Sequence, residues 1–337
     1  MVKQGMKAAN LSQDQNLLFN KLQSLIDQHQ SFIITTHVVP DGDGLGGEVA
    51  LSAYIRAMGK RCRIINADPT PEKFSLADSD HEIEIWDEHK ALPPAEIIFG
   101  VDVNDKKRIG PLWNNLEHLN AKLIFIDHHL LEDPQKSQHI IDEEVSSMGE
   151  FFYRFFHYVK AEISFKMALA MYVSLATDTK QFRHRKTTAL SHAIAAALVE
   201  VGVRPEMVHE TMHRNRSLQD IYLLGEALKR VRTTADQKIA WIEISQTLQK
   251  KYGATAEESQ GFADYLLRLK HVEVGLLFRE EPDGRIKVSF RSQGRIEIFP
   301  TVKKFGGGGH AFEAGALIDG PMRAAVKSVL NEIKKLV

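Results

Sequence analysis

Short apolar runs recur along the first third of the chain, at Phe32–Thr36, Cys62–Asn66, Ile97–Val101 and Leu123–Ile126. Charged or turn residues bound each run, and helical patterns lie between several of them. This alternation predicts parallel strands covered by helices. A helix with Leu17, Leu18, Leu22, Leu25 and Ile26 on one side is predicted over Asp14–His29. The nine or ten residues before it read as a frayed tail. From Phe151 to Val231 the pattern is almost wholly helical, with Phe165–Ala176 apolar enough to be buried. Thr187–Val201 and Leu218–Val231 read as amphipathic helices, and Gly202–Pro205 as a stop and restart between helices.

After Thr233 strands return, at Ile239–Ile244 and at Val272–Phe278 and Arg285–Phe290, which flank the turn Glu281-Pro282-Asp283-Gly284. Ala311–Ile318 is a further strand, and Met322–Leu336 a closing helix. The predicted fold class is α/β. A parallel-sheet N-terminal domain with flanking helices (14–185) leads through a helical linker (186–235) to a smaller α/β C-terminal domain (236–337).

Composition narrows the function classes. The chain has 337 residues, enough for two domains, with 43% apolar and 26% charged residues. Its 43 basic and 44 acidic residues give a net charge of −1. That balance argues against coating long nucleic acid by bulk charge, and leaves room for a local basic pocket. The single cysteine, Cys62, excludes an internal disulfide and a cysteine-based zinc site; it reads as a small buried apolar residue. The N-terminus lacks a signal-peptide core, and no run of about 18 apolar residues exists. A cytoplasmic protein without membrane association is expected.

The densest polar segment is Thr36-His37-Val38-Val39-Pro40-Asp41-Gly42-Asp43-Gly44. It follows a strand directly, where ligand sites of open α/β sheets gather. Pro40, Gly42 and Gly44 let the backbone turn so that His37, Asp41 and Asp43 converge. Hard carboxylates with an imidazole suit a divalent ion such as Mn²⁺. The plainer reading is a polar loop in which Asp43 caps the next helix. Asp127-His128-His129 follows a second strand and Asp102 a third, while Asp178 follows an apolar helix. Singly, Asp102 and Asp178 read as caps or loop carboxylates. Jointly, clusters that end separate parallel strands can meet above one sheet edge, and a carboxylate can bridge two metals about 3.5–4 Å apart. Downstream, Phe305-Gly306-Gly307-Gly308-Gly309-His310 offers backbone N–H groups to an anion at an entropic cost. Arg291, in Ser289-Phe290-Arg291-Ser292, can pair with phosphate. A flexible linker and a surface arginine are the alternative readings.

Taken together, these segments resemble the DHH phosphoesterase family over about residues 15–335. Asp127-His128-His129 is similar to its namesake triplet, His37-x-x-Pro40-Asp41-x-Asp43 to its first motif, Asp102 to the second and Thr177-Asp178-Thr179 to the fourth. The glycine run and Phe290-Arg291-Ser292 resemble the family's associated C-terminal substrate domain. Within the family, the chain is similar to the branch that degrades very short oligonucleotides and removes the 3′ phosphate of 3′-phosphoadenosine 5′-phosphate. The resemblance implies two divalent ions, Mn²⁺ first, with Mg²⁺ or Co²⁺ as substitutes. His37, Asp41 and Asp102 would hold one; Asp43, Asp102, His128 and Asp178 the other, with Asp102 bridging. His128 and Asp102 thereby enter the catalytic group with His129, which would touch the scissile phosphate or assist proton transfer. Arg291, Ser292, Gly307, Gly308, Gly309 and His310 would grip the far end of the substrate. The chain departs from the family pattern at Gly46-Gly47, Met148, Lys180 and Glu313, of which Lys180 and Glu313 bear on substrate preference.

The expected reaction is hydrolysis of phosphate esters by water activated between two cations. The expected partner is a short oligonucleotide or nucleotide phosphate, with no long nucleic acid and no membrane; a homodimer is compatible. The alternatives are a longer-range single-strand exonuclease, which usually carries an added nucleic-acid-binding domain, a cyclic dinucleotide phosphodiesterase, or a polyphosphatase. A nucleotide-binding regulator with an inactive metal site is the non-enzyme alternative.

Overall fold

The computed structural model describes residues 12–129, 136–214, 216–253, 259, 261–309 and 311–337. The tail expected over the first ten residues, and His310, lie outside them. The chain divides into two compact units, residues 1–215 and 216–337.

The first unit opens with α1 (Gln13–Gln28), β1 (Ser31–Thr35), α2 (Gly42–Ala57), β2 (Arg61–Asn66), β3 (Ile83–Ile85) and β4 (Ile97–Val101). It continues with α3 (Trp113–Leu116), β5 (Lys122–Asp127) and β6 (Ile140–Ile141), and ends with α4 (Met148–Tyr158), α5 (Phe165–Asp178), α6 (Ala189–Val201) and α7 (Pro205–His213). Ser12 and Gln15 close a reciprocal cap at the start of α1. The buried stripe of that helix is Phe19, Leu22, Leu25 and Ile26, whereas Leu17 is 62% exposed and does not belong to it. Phe19, Leu22 and Ile26 recur at helical spacing, and Leu17 falls on the opposite side.

Six strands form one parallel sheet in the order β3-β2-β1-β4-β5-β6. Successive side chains of a strand point to opposite faces, and both faces are covered. Phe32, Ile34, Phe99, Val101, Ile124 and Ile126 join the core made with α1, α2, α4, α5 and α6. Ile33, Ile98 and Phe125 pack on the other side with Ile109, Leu112 and Leu116. Burial on both sides explains why these strands read as continuous apolar runs. The winding reverses between β1 and β4, and a sheet of this kind binds ligands in the crevice beyond the strand ends there.

The second unit contains α8 (Leu218–Leu228), β7 (Arg232–Thr233), β8 (Ile239–Ile244), α9 (Gln246–Tyr252), α10 (Phe262–Leu266) and β9 (Val274–Glu280). Then follow β10 (Ile286–Ser292), α11 (Phe299–Lys304), β11 (Gly308–Gly309), β12 (Glu313–Ile318) and α12 (Met322–Ile333). Its sheet runs β11-β12-β10-β9-β8-β7 and is mixed: β8 and β9 are parallel, the other pairs antiparallel. The β9–β10 turn is the one predicted, with Gly284 at φ +84°. One face packs Phe278, Val288 and Phe290 against Val329 and Ile333 of α12. The other packs Ile242 and Leu277 against Leu223 of α8 and Phe262 of α10. Among the described residues no helix is long and apolar enough to cross a membrane.

Candidate metal centre

The loop after β1 is pinned at several points. Val38 N donates to Arg108 O at 2.7 Å, and Val39 N to Asp68 Oδ2 at 2.6 Å. Asp41, not Asp43, caps α2: its Oδ1 accepts from Asp43 N at 2.9 Å and Gly44 N at 3.3 Å. An acceptor at this position satisfies N–H groups that the first helical turn leaves unpaired. Asp43 thereby lies inside that turn, fully buried, and its Oδ1 accepts from Met148 N at 2.9 Å and from Ser174 Oγ.

Asp102 follows β4, directly beside the loop after β1. It is 2% exposed and sits in the left-handed region at φ +54°, a strained backbone for a residue with a Cβ. Its N–H donates to Ile126 O of β5 at 2.9 Å. At the end of β5, Asp127 Oδ1 accepts from the backbone of His128 and His129 and from His129 Nδ1 at 2.8 Å. Asp127 is the residue of this site that the chain's pattern did not single out as functional. Its position in the triplet was visible, but its role as an anchor of both histidines appears only when the strand end turns. Asp178 arrives as the last residue of α5.

The structure brings His37, Asp41, Asp43, Asp102, His128, His129 and Asp178 together. Ligand atoms of His37, Asp41 and Asp102 lie within 4.8 Å of one another, as do those of Asp43, His128 and Asp178. The two oxygens of Asp102 divide between them. Oδ2 lies 3.6 Å from His37 Nε2, whereas Oδ1 lies 3.7 Å from His128 Nε2 and 3.3 Å from His129 Nδ1.

The chemistry of this donor set fits divalent cations. His37 donates through Nδ1 to Val38 O at 2.8 Å, and His128 Nδ1 lies 3.3 Å from Val145 O. Tying one ring nitrogen to a carbonyl fixes the tautomer and leaves Nε2 for the site, the usual arrangement of a ligating histidine. His128 Nε2 is 3.2 Å from both Asp43 Oδ2 and Asp178 Oδ2. Yet it makes no hydrogen bond among the described residues, and neither does the buried Asp102 Oδ1. Buried polar atoms without partners are costly; here they line the space a cation would fill.

Electrostatics agree. Burial and the neighbouring charges of Asp178 and Asp102 push Asp43 well above the usual carboxylate range. Burial and Asp102 raise Asp41 to about 6. Burial opposes protonation of His37, but the Asp102 carboxylate facing its Nε2 and the charge of Asp41 raise it to about 9. Burial likewise opposes His129, and the Asp102 and Asp127 carboxylates beside its ring carry it to about 10. Without a cation, the cluster draws protons in to offset its carboxylates.

Residues carried by the second unit are partly occupied. Arg291 Nη2 lies 2.6 Å from Glu313 Oε1 and its Nε 3.4 Å from Asp264 Oδ1. Ser292 Oγ donates to Ile296 O at 2.7 Å. A Cβ on Gly307 would lie 2.4 Å from Gly315 O, and Gly309 has φ +135°, so both are required by the fold itself. Gly308 meets nothing within 4 Å.

A doubly wound sheet with a carboxylate–histidine cluster beyond its reversal point defines a candidate metal-dependent hydrolase. Residues 31–177 match the DHH family, N-terminal domain, and residues 236–337 match the DHHA1 domain. The chain belongs to the DHH/DHHA1 phosphoesterases. It is 26% identical to the bifunctional oligoribonuclease and PAP phosphatase NrnA of Thermus thermophilus, over 90% of this chain and 89% of that one. To the protein of the same name from Bacillus subtilis it is also 26% identical, over 87% and 91%. An exopolyphosphatase-related protein from Bacteroides fragilis shares the fold, with a TM-score of 0.88 at 24% identity over 95% and 96% of the two chains.

Proposed function

We propose that this phosphoesterase uses two divalent cations, Mn²⁺ in the first instance, to hydrolyse very short oligonucleotides and 3′-phosphoadenosine 5′-phosphate. The observation that carries the two-cation reading is Asp102, whose two oxygens face two separate ligand groups. The substrate reading rests on the likeness to oligoribonuclease/PAP phosphatases along nearly the full length of both chains.

In this reading His37, Asp41 and Asp102 hold one cation, and Asp43, Asp102, His128 and Asp178 the other. Bound there, the pair supplies Lewis acidity and lowers the pKa of water towards neutrality. The chain's own residues do the rest. The capping bonds of Asp41 and the bonds of Met148 and Ser174 to Asp43 fix the carboxylates before substrate arrives. As the water oxygen bonds to phosphorus, the ester P–O bond breaks and the departing oxygen needs a proton. His129 would give it, from a ring that Asp127 orients through Nδ1. Arg291 and His310 engage the far end of the substrate.

The test is to incubate purified protein and Mn²⁺ with a labelled dinucleotide, and separately with 3′-phosphoadenosine 5′-phosphate. Release of mononucleotide or of phosphate is expected; release from neither, with metal bound, removes the reading. Asp102→Ala should cost more than about 100-fold in turnover, since even partners of metal ligands are worth 10–100-fold.

A further inference from the structure

We propose that the turn over residues 180–187 is a second phosphate-binding element, set at the edge of the metal centre and built around Lys180 and His184. This rests on the reading of the site as a phosphoesterase centre. It concerns a phosphate of the substrate other than the one cleaved.

Three observations converge. The first is charge. Lys180, Arg183, Arg185 and Lys186 fall within seven residues, and the sequence holds no carboxylate from 179 to 199. In a chain of net charge −1 this is a local excess of four positive charges, beginning two residues after Asp178. The second is backbone. Lys180, Gln181 and Phe182 all adopt left-handed conformations, at φ +49°, +57° and +63°. Glycine would take these angles freely, whereas each of these side chains strains them. The turn is nonetheless firmly held. Gln181 N donates to Ala176 O at 2.8 Å, Arg183 N and His184 N both donate to Thr179 O, and the Phe182 ring stacks on His192 at 4.8 Å. A lysine kept at a strained, anchored position beside a metal ligand points to a task for its side chain.

The third is unmet hydrogen bonding. His184 Nδ1 and Thr187 Oγ1 are buried and have no partner among the described residues. The charges acting on the His184 ring are Lys180, Arg185 and Lys186, opposed by Asp178. A phosphate drawn to this charge would offer acceptors to His184 Nδ1 and Thr187 Oγ1. A rigid turn presents them without a further ordering cost.

The test compares two dinucleotides that differ only in a 5′-phosphate, with wild type, Lys180→Gly and Lys180→Ala. Both variants should raise KM for the 5′-phosphorylated substrate at least fivefold, with kcat within twofold, and leave KM for the other substrate within twofold. Lys180→Gly should also melt roughly 2 °C higher than wild type as strain is released, whereas Lys180→Ala should not. An unchanged KM, or an equal rise for both substrates, overturns the proposal. If wild type cleaves neither dinucleotide, the substrate reading has failed, and the element is judged by binding alone. Inorganic pyrophosphate should then raise the melting temperature of wild type more than that of Lys180→Gly, and equal shifts overturn it.

Discussion

Glu313 faces Arg291 across the β10–β12 pair and holds its guanidinium at 2.6 Å. A phosphate bound to Arg291 has to compete with this carboxylate. Glu313→Ala should therefore tighten AMP binding, by about fivefold or more in a calorimetric titration, the gain expected from removing one charged competitor. Unchanged or weaker binding would show that AMP does not use Arg291. A second residue reports through pH. Glu48 is fully buried and bonded to Asn66 Nδ2 at 2.9 Å, and burial pushes its pKa to about 8 from an ordinary 4.5. The folded state thus keeps a proton that the unfolded chain gives up near 4.5. Stability from this group is complete below that value and is lost as pH rises through about 8. Glu48→Gln can keep the bond from Asn66 and has nothing to ionise. Melting curves of metal-free protein should fall more steeply between pH 5 and 8 for wild type than for the variant.

Among the elements, the glycine run separates two demands that look alike in sequence. A Cβ at Gly307 would strike the backbone of β12, so Gly307→Ala should cost about 1–3 kcal/mol in denaturant unfolding. Gly308→Ala meets open space and should stay within about 0.5 kcal/mol. No pattern of apolar positions could tell these two apart. The four central strands were legible because burial on both faces leaves uninterrupted apolar runs. The short edge pairs β3, β6, β7 and β11 were not, since two or three residues carry no period. The turn after α5 was missed for a different reason: residues 179–188 contain neither glycine nor proline, and the left-handed break uses lysine, glutamine and phenylalanine instead. The site residues were readable as polar clusters at strand ends. Their meeting above one sheet edge was expected from those positions; the strand order that achieves it was not legible, because β1 and β4 are neighbours although β2 and β3 lie between them in the chain. Two departures from the family pattern have a packing account. A Cβ on Gly47 would lie 3.0 Å from that of Met148, so the small residue makes room for the large one. Met148 meanwhile serves Asp43 through its backbone N–H, which any residue but proline supplies.

At the scale of the molecule, every proposed metal ligand lies in the first unit, which has its own cores, as does the second. Saturating Mn²⁺ at about 100 times its Kd should stabilise the folded first unit by roughly 2.7 kcal/mol. Hydrogen exchange should then slow at the amides of β1, β4 and β5 and not at those of β9 and β10. Protection gained equally in both units would contradict a site confined to the first.

The division of Asp102's two oxygens also has a consequence for biosynthesis. A ribosome adds about 5–20 residues per second, so Asp178 follows His37 by on the order of ten seconds. The set His37, Asp41 and Asp102 is complete in the nascent chain before His128 and Asp178 have been made. In the proposed two-cation reading, the first set would be able to take its cation once β4 lies beside β1 and β5 holds the Asp102 backbone, whereas the second would wait for the end of α5.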